Sequence, residues 1–288
     1  EFIGYEETET GVTATFRASD GSEHTATADL LIGADGIHSA LRRLLYPNEG
    51  SPRWSGRVMW RGTADWPAFG DGRSFVIAGS IDTRLVLFPI SRGAAPGTYR
   101  TNWVMVHRNA DDGTALPPAQ DWQGKADPAK CLKALEPFDL PDLDVHALAA
   151  ATKEIFEFPM SDRDPLPRWS FGRVTLLGDA AHPMYPFGGN GAAQAILDAK
   201  AIAGIMARES DPVAALTAYD EERRDRVYQV VMTNRQGGPE RVIDMVEARI
   251  AAEGIEASDI PRDELAEVVH GYSRLAGYSP DQLGKATP

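Results

Sequence analysis

The sequence predicts an α/β protein in which a strand–helix domain is interrupted by an inserted antiparallel sheet. Three observations carry that prediction. Two apolar runs, Leu30-Leu31-Ile32 and Val174-Thr175-Leu176-Leu177, each stop at glycine and aspartate and each lead into a helical stretch. Between them, short runs rich in Trp, Val and Phe alternate with turns, the texture of an antiparallel sheet. After the second run the chain is helical almost to its end. The order strand–helix, sheet, strand–helix places one layer architecture inside another.

Taken in order, Phe2-Ile3-Gly4-Tyr5 reads as part of a strand, and Gly11 to Phe16 alternates like a half-buried one, with a hairpin-turn signal at Asp20-Gly21. The strand ending at Gly33-Ala34-Asp35-Gly36 precedes a helix over 39–45. Sheet strands are expected at 57–62, 74–78, 84–89 and 101–106, a loop over 109–127, a helix over 128–138 and a strand at 155–159. Helices then follow at 192–207, 212–231, 241–252 and 262–275. The predicted domains are 1–51 with 158–220, an inserted 52–157, and a helical region over 221–288.

Composition excludes several classes of function. Acidic residues number 42 against 29 basic ones, and the net charge of −13 disfavours nucleic acid or an anionic membrane as main partner. The single cysteine, Cys131, supports neither a disulfide framework nor a cysteine-built metal site. No run approaches the roughly 18–20 apolar residues of a membrane span, and the acidic stretch 1–9 has no apolar leader core. These features favour a reducing, cytoplasmic setting. The chain opens on a strand pattern with no capped first element, so it reads as cut inside a domain.

The most informative stretch is Gly178-Asp179-Ala180-Ala181-His182-Pro183, continuing through Pro186-Phe187-Gly188-Gly189-Asn190-Gly191. Asp179 at a strand tip can accept hydrogen bonds from sugar hydroxyls. The helix after the glycines offers unpaired N–H groups and about half a positive charge to an electron-rich group. The alternative is a tight turn in which Asp179 merely caps the next helix; so many small residues before a helix favour a cofactor. The second stretch, Asp35-Gly36-Ile37-His38-Ser39-Ala40-Leu41-Arg42, reads by itself as a helix start capped by Asp35 or Ser39, with Arg42 on the surface.

Together the two stretches resemble the family of single-component FAD-dependent aromatic monooxygenases. Asp35-Gly36-x-x-Ser39-x-x-Arg42 matches its "DG" motif, and Gly178-Asp179 through Asp198 its "GD" motif. Met184-Tyr185-Pro186-x-Gly188-x-Asn190-Gly191-Ala192 and Gln194 to Asp198 are similar to the phenazine-modifying branch, the 5-methylphenazine-1-carboxylate 1-monooxygenase type. The resemblance implies a glutathione-reductase-like FAD-binding fold with 52–157 as substrate domain. It implies that NADH or NADPH reduces FAD and that O2 adds at the flavin C4a carbon. The resulting hydroperoxide then hydroxylates an aromatic ring.

The resemblance also implies residue roles. Asp179, with Gly178, would bind the ribityl chain, and Pro186, Phe187 and Gly188 would line the reacting edge of the flavin. The peptides around Asn190, Gly191, Ala192 and Ala193 would face its pyrimidine end. Asp35, Gly36 and Arg42 would support the phosphate region. Tyr185 and Trp60 are the substrate-contact candidates, although Trp54, Trp60 and Trp66 read first as sheet core, and no metal is expected. Two departures stand out: Ala193 replaces an asparagine common in the family, and the family's GxGxxG segment, which holds the ADP half of FAD, does not occur in these residues.

Some readings stay open. His182 orders the turn rather than acting as acid, base or metal ligand; Arg61 either meets a substrate carboxylate or lies on the surface; the charged run 220–226 is a solvated helix face. The C-terminal helices either pack on the cofactor domain or form a homodimer contact. The alternatives to a monooxygenase are a reductase or halogenase on the same scaffold, or a truncated binding remnant.

Overall fold

The computed structural model describes residues 1–115 and 124–283. In chain order they form β1 (Phe2–Glu7), β2 (Val12–Arg17), β3 (Glu23–Ala28), β4 (Leu31–Gly33), α1 (Ala40–Leu45), β5 (Arg53–Pro67), β6 (Val76–Gly79), β7 (Thr83–Arg92) and β8 (Thr98–Arg108). Then come α2 (Pro128–Leu135), α3 (Val145–Ala150), β9 (Ile155–Asp162), β10 (Ser170–Phe171) and β11 (Val174–Leu176). The helices α4 (Asn190–Met206), α5 (Pro212–Arg235), α6 (Arg241–Glu253), α7 (Arg262–Ala276) and α8 (Pro280–Leu283) complete the chain. The expected α/β class is the observed one. The expected loop over 109–127 lies partly outside the described residues, at 116–123.

The chain divides into two compact units, one of Glu1–Pro52, Ser161–Pro239 and Arg262–Pro288, the other of Arg53–Met160 and Glu240–Pro261. The helices expected to form a region of their own over 221–288 are shared between the units. α7 joins the first because Tyr272 and Ala276 pack against Val230 of α5. α6 joins the second through Asp244, which accepts from Arg84 Nη2 and from the Ile81 amide, both at 2.8 Å.

In the first unit the strand order is β10-β11-β4, and β11 runs parallel to β4 with Leu176 opposite Gly33. The Leu177 amide extends the pairing to Gly33 O at 2.9 Å. Val174, Thr175 and Leu176 are all fully buried, as the continuous apolar run of a covered parallel strand requires. Both strands therefore end side by side, and the two motif turns leave the sheet at the same edge. In open α/β sheets that carboxyl edge is where ligands bind. Around it Leu41, Trp169, Ile202, Tyr219 and Val227 form the core. The meander β1-β2-β3 is a separate antiparallel sheet. Its third strand, Glu-His-Thr-Ala-Thr-Ala, is polar and exposed on both faces, so only the Asp20-Gly21 turn announced it.

The second unit holds the five-stranded sheet β6-β7-β8-β5-β9. Trp60, Leu85, Leu87, Trp103 and Met105 lie on one face by strand alternation and pack against Cys131, Leu135 and Leu148 of α2 and α3. α2 ends before Pro137, shorter than expected, because proline has no backbone N–H with which to continue the helix. The sequence reading passed over α3, a six-residue helix capped by Asp144, whose carboxylate accepts from the Ala147 amide at 2.8 Å. Among the described residues no helix is long and apolar enough to cross a membrane.

Candidate functional site

The GD turn begins where β11 ends. Gly178 takes φ +60°, and a Cβ there would lie 3.1 Å from the Ala195 Cβ. Glycine thus supplies the left-handed backbone and lets α4 approach the strand end. The His182 amide closes the turn on Gly178 O at 2.8 Å.

Further on, Gly188 and Gly189 both have positive φ, and Gly189 is the N-cap of α4. A glycine cap carries no side-chain oxygen, and among the described residues no side chain caps the first-turn N–H groups of this 17-residue helix. Helix α4 starts at Asn190, two residues earlier than the sequence suggested. Asp179 stands next to that helix start: a Cβ on Gly191 would lie 3.8 Å from Asp179 Oδ1. Among the described residues no group donates a hydrogen bond to the Asp179 carboxylate. It is open to solvent yet ringed by protein, and this partial loss of water holds its carboxyl above the usual range, with nearby His182 opposing the shift. Hydrogen-bond acceptors and donors thus border one glycine-floored surface.

Beneath that surface lies a buried polar network. Asp198 accepts from His182 Nε2 at 2.6 Å, Arg223 Nε at 2.8 Å and the Gly178 amide at 3.1 Å. Arg223 also donates to Gln194 Oε1 at 2.7 Å. Asp220 accepts from the amides of Trp169 and Ser170 at 2.9 and 3.1 Å. The expectation of a solvated face over 220–226 is therefore corrected: Asp220 and Arg223 are buried, because α5 turns them onto the start of β10 and onto α4. Each had a partner 25 or more residues away, which no local charge pattern reveals. His182 does order the turn, and its side chain pairs with Asp198 rather than with Asp179.

Other expected site residues fall in mixed places. Asp35 Oδ2 accepts from the Ala40 amide at 2.7 Å, and Ser39 Oγ from the Arg42 amide at 2.9 Å, so both cap α1. Gly36, at φ +77°, makes the turn. Arg42 is corrected twice. It is 1% exposed rather than on the surface, and none of its five N–H groups is left for a phosphate. Nε donates to Glu49 at 2.8 Å and Nη1 to the carbonyls of Ala180 and Ala181 at 3.0 and 2.8 Å. Nη2 donates to Glu49 and, at 3.0 Å, to Asp164 O. Arg42 is thus a brace between the DG helix and the GD turn.

The two substrate-contact candidates are both buried. Trp60 is 3% exposed, stacked on His107 and donating its indole N–H to Glu157 at 2.7 Å, which makes it sheet core. Tyr185 is equally buried, and its carbonyl accepts from Asn234 Nδ2 at 3.0 Å. Of the residues expected at the reacting edge, Pro186 is exposed, Gly188 half-buried and Phe187 buried. Ala192 is exposed and Ala193 half-buried on the first turn of α4.

The sequence profile of the FAD binding domain family matches residues 1–234. The chain belongs to the FAD-dependent aromatic monooxygenase family. It is 42% identical over 236 residues to the phenazine 1,6-dicarboxylic acid hydroxylase of Lysobacter antibioticus, a match covering 80% of this chain and 57% of the relative. Similarity to the 3-amino-4-hydroxybenzoate 2-monooxygenase of Streptomyces platensis is 33% over 229 residues, 78% of this chain and 54% of the relative. The chain thus spans little more than half the length of the curated family members it matches. Among solved structures it is similar to HpxO of Klebsiella pneumoniae in complex with FAD and uric acid, with TM-score 0.70 and 26% identity over 97% of this chain and 66% of that one. It is also similar to a salicylate hydroxylase–substrate complex, with TM-score 0.67 and 26% identity over 96% of this chain and 70% of that one. Within this family an acceptor carboxylate beside an uncapped helix start suits the polyol and ring carbonyls of a flavin.

Proposed function

We propose that this chain is part of a monooxygenase that hydroxylates an aromatic carboxylic acid with FAD, NADH or NADPH, and O2. In this reading residues 1–51 and 158–220 hold the flavin, and 52–157 carry substrate contacts. The observation that carries it is the Asp179 carboxylate, without a donor among the described residues, beside the uncapped first turn of α4. Bound FAD would supply the redox chemistry, taking electrons from the nicotinamide and activating O2 for transfer of one oxygen to the ring.

The residues then have distinct tasks. Asp179 accepts from hydroxyls of the ribityl chain, and the peptides of Gly191, Ala192 and Ala193 donate to the electron-rich ring end, stabilising negative charge there. Pro186 and Gly188 border the reacting edge without bulk. Arg42 acts on the site indirectly, by holding the carbonyls of Ala180 and Ala181. The two relatives named above are, by name, hydroxylases of a phenazine dicarboxylic acid and of an aminohydroxybenzoate, which supports an aromatic acid as substrate class.

The test is direct. The purified chain is mixed with FAD, passed over a desalting column and read by flavin absorbance. NADH or NADPH oxidation under air is then followed with phenazine and hydroxybenzoate carboxylates. Retained flavin, aromatic-stimulated oxidation and a hydroxylated product support the reading. Retained flavin without a hydroxylated product moves it to another FAD oxidoreductase, and failure to retain flavin favours the truncated binding remnant.

A further inference from the structure

Tyr272 of α7 is 5% exposed, and its hydroxyl stands in the middle of a buried chain of hydrogen bonds. Asn190 Nδ2 donates to it at 2.8 Å, and it donates to Asn234 Oδ1 at 2.5 Å. Asn234 Nδ2 donates in turn to the Tyr185 carbonyl at 3.0 Å. The directions follow from one another: Asn234 must turn its amino group to a carbonyl, so its oxygen faces Tyr272, and the tyrosine lone pairs are left for Asn190. One hydroxyl thus ties both ends of the loop from Tyr185 to Asn190. The ring itself covers the middle of that loop, since a Cβ on Gly188 would lie 2.9 Å from Tyr272 Cε1. One turn along α4, Gln194 Nε2 donates to Ala276 O at 2.7 Å, so the end of α7 grips the same helix. Asn190 and Asn234 are 1% and 0% exposed, and water cannot take over these bonds.

We propose that Tyr272 is a positioning residue, whose hydroxyl fixes this loop and the uncapped start of α4 in one conformation. Two adjacent glycines in the left-handed region, Gly188 and Gly189, have the most backbone freedom to lose, so the loop needs an outside anchor to stay ordered. The rigidity belongs to the chain alone; its value for FAD rests on the reading above.

The experiment compares Tyr272→Phe, which keeps the ring, with Tyr219→Phe. The latter removes another buried hydroxyl of the same unit, the one donating to Leu176 O at 3.1 Å. Backbone amide order parameters are measured by NMR on the chain without cofactor, and FAD is titrated separately. In Tyr272→Phe the values at Gly188, Gly189 and Gly191 fall from the rigid range of about 0.85 to below about 0.6, while those at Val174 and Leu176 stay put. The Kd for FAD rises about tenfold, which corresponds to 1.4 kcal/mol. Tyr219→Phe changes neither. A loop that stays rigid in Tyr272→Phe, or one that loosens only together with the strand, overturns the proposal. If Tyr272→Phe does not fold, Asn234→Leu breaks the next link and gives the same drop; failure of both to fold makes the network a fold determinant and also overturns it. A wild-type chain that does not bind FAD counts against the flavin reading, and the order parameters still decide the role of Tyr272.

Discussion

His182 and Asp198 form a buried pair, with the imidazole Nε2 2.6 Å from the carboxylate Oδ2 and both side chains closed to water. Burial by itself would raise the Asp198 carboxyl, but His182 and Arg223 outweigh it and hold the group below the ordinary carboxylate range. A depressed folded-state pKa contributes stability above the unfolded value, about 3.9, and loses it as pH falls through the folded value. Asp198→Asn leaves Arg223 without its counter-charge and costs about 3 kcal/mol at neutral pH. The gap between wild type and variant narrows as pH falls from about 4 toward the lower folded-state value, because the unfolded carboxyl takes up its proton first and the folded one only there. Urea unfolding at pH 7 and at pH 3 checks this; a gap of constant size removes the linkage.

Arg42 braces the DG helix to the GD turn, and its planar fork reaches Glu49 and three carbonyls at once. Lysine offers three donors from one point and cannot cover that set. Arg42→Lys is therefore expected to lose about 2–4 kcal/mol of stability, the range for breaking one side of a buried ion pair and its hydrogen bonds. A variant with wild-type stability and weakened FAD binding would instead restore the direct phosphate role expected from the motif.

How much of this was legible in the sequence depended on distance along the chain. The two strands and their Gly-Asp ends were legible because a buried parallel strand is a short uninterrupted apolar run, and glycine with aspartate stops it. The pairing of those ends at one sheet edge was not legible, since it joins Leu176 to Gly33 across the whole inserted sheet. The buried charges were hidden. Arg223 looks like any arginine in a charged helix, and what buries it is Asp198 on another helix. Trp60 and Tyr185 were ambiguous, because an inward position in the fold and contact with a ligand call for the same aromatic residue type. Tyr272 carried no signal, since its partners lie 38 and 82 residues away.

Asp179 is expected to be a residue that the fold does not need. Its carboxyl is raised in the folded state, so at neutral pH the ionised form costs stability relative to the unfolded chain. Asp179→Asn removes that charge, and the melting temperature at pH 7 stays level or rises. The advantage fades once pH falls below the ordinary carboxylate value, about 3.9, where both forms are neutral. FAD affinity falls in the same variant by about tenfold, the loss of a charged hydrogen-bond acceptor. Thermal melts across pH, run beside a flavin titration, separate the two effects. A large drop in melting temperature at pH 7 would show that Asp179 serves the fold.

Gly191 and Gly188 make the sharper contrast. A Cβ on Gly188 would meet Asn190 Nδ2 and Tyr272 Cε1 at 2.9 Å, and the backbone there is left-handed at φ +68°. Gly188→Ala is expected to cost at least about 1–2 kcal/mol from that conformation alone. Gly191 lies inside α4, and the nearest atom to its added Cβ is Asp179 Oδ1 at 3.8 Å, an ordinary contact. Alanine also favours helix over glycine by up to about 1 kcal/mol. Gly191→Ala is thus expected to fold as well as wild type or slightly better. The added methyl stands on the floor where a flat ring would lie against the peptide, so FAD affinity falls by about tenfold or more, equivalent to at least 1.4 kcal/mol. Chemical unfolding and flavin titration of both variants decide the matter. If Gly191→Ala binds FAD like wild type, the ring does not lie on this turn of α4, and the site must be sought elsewhere along the β4–β11 edge.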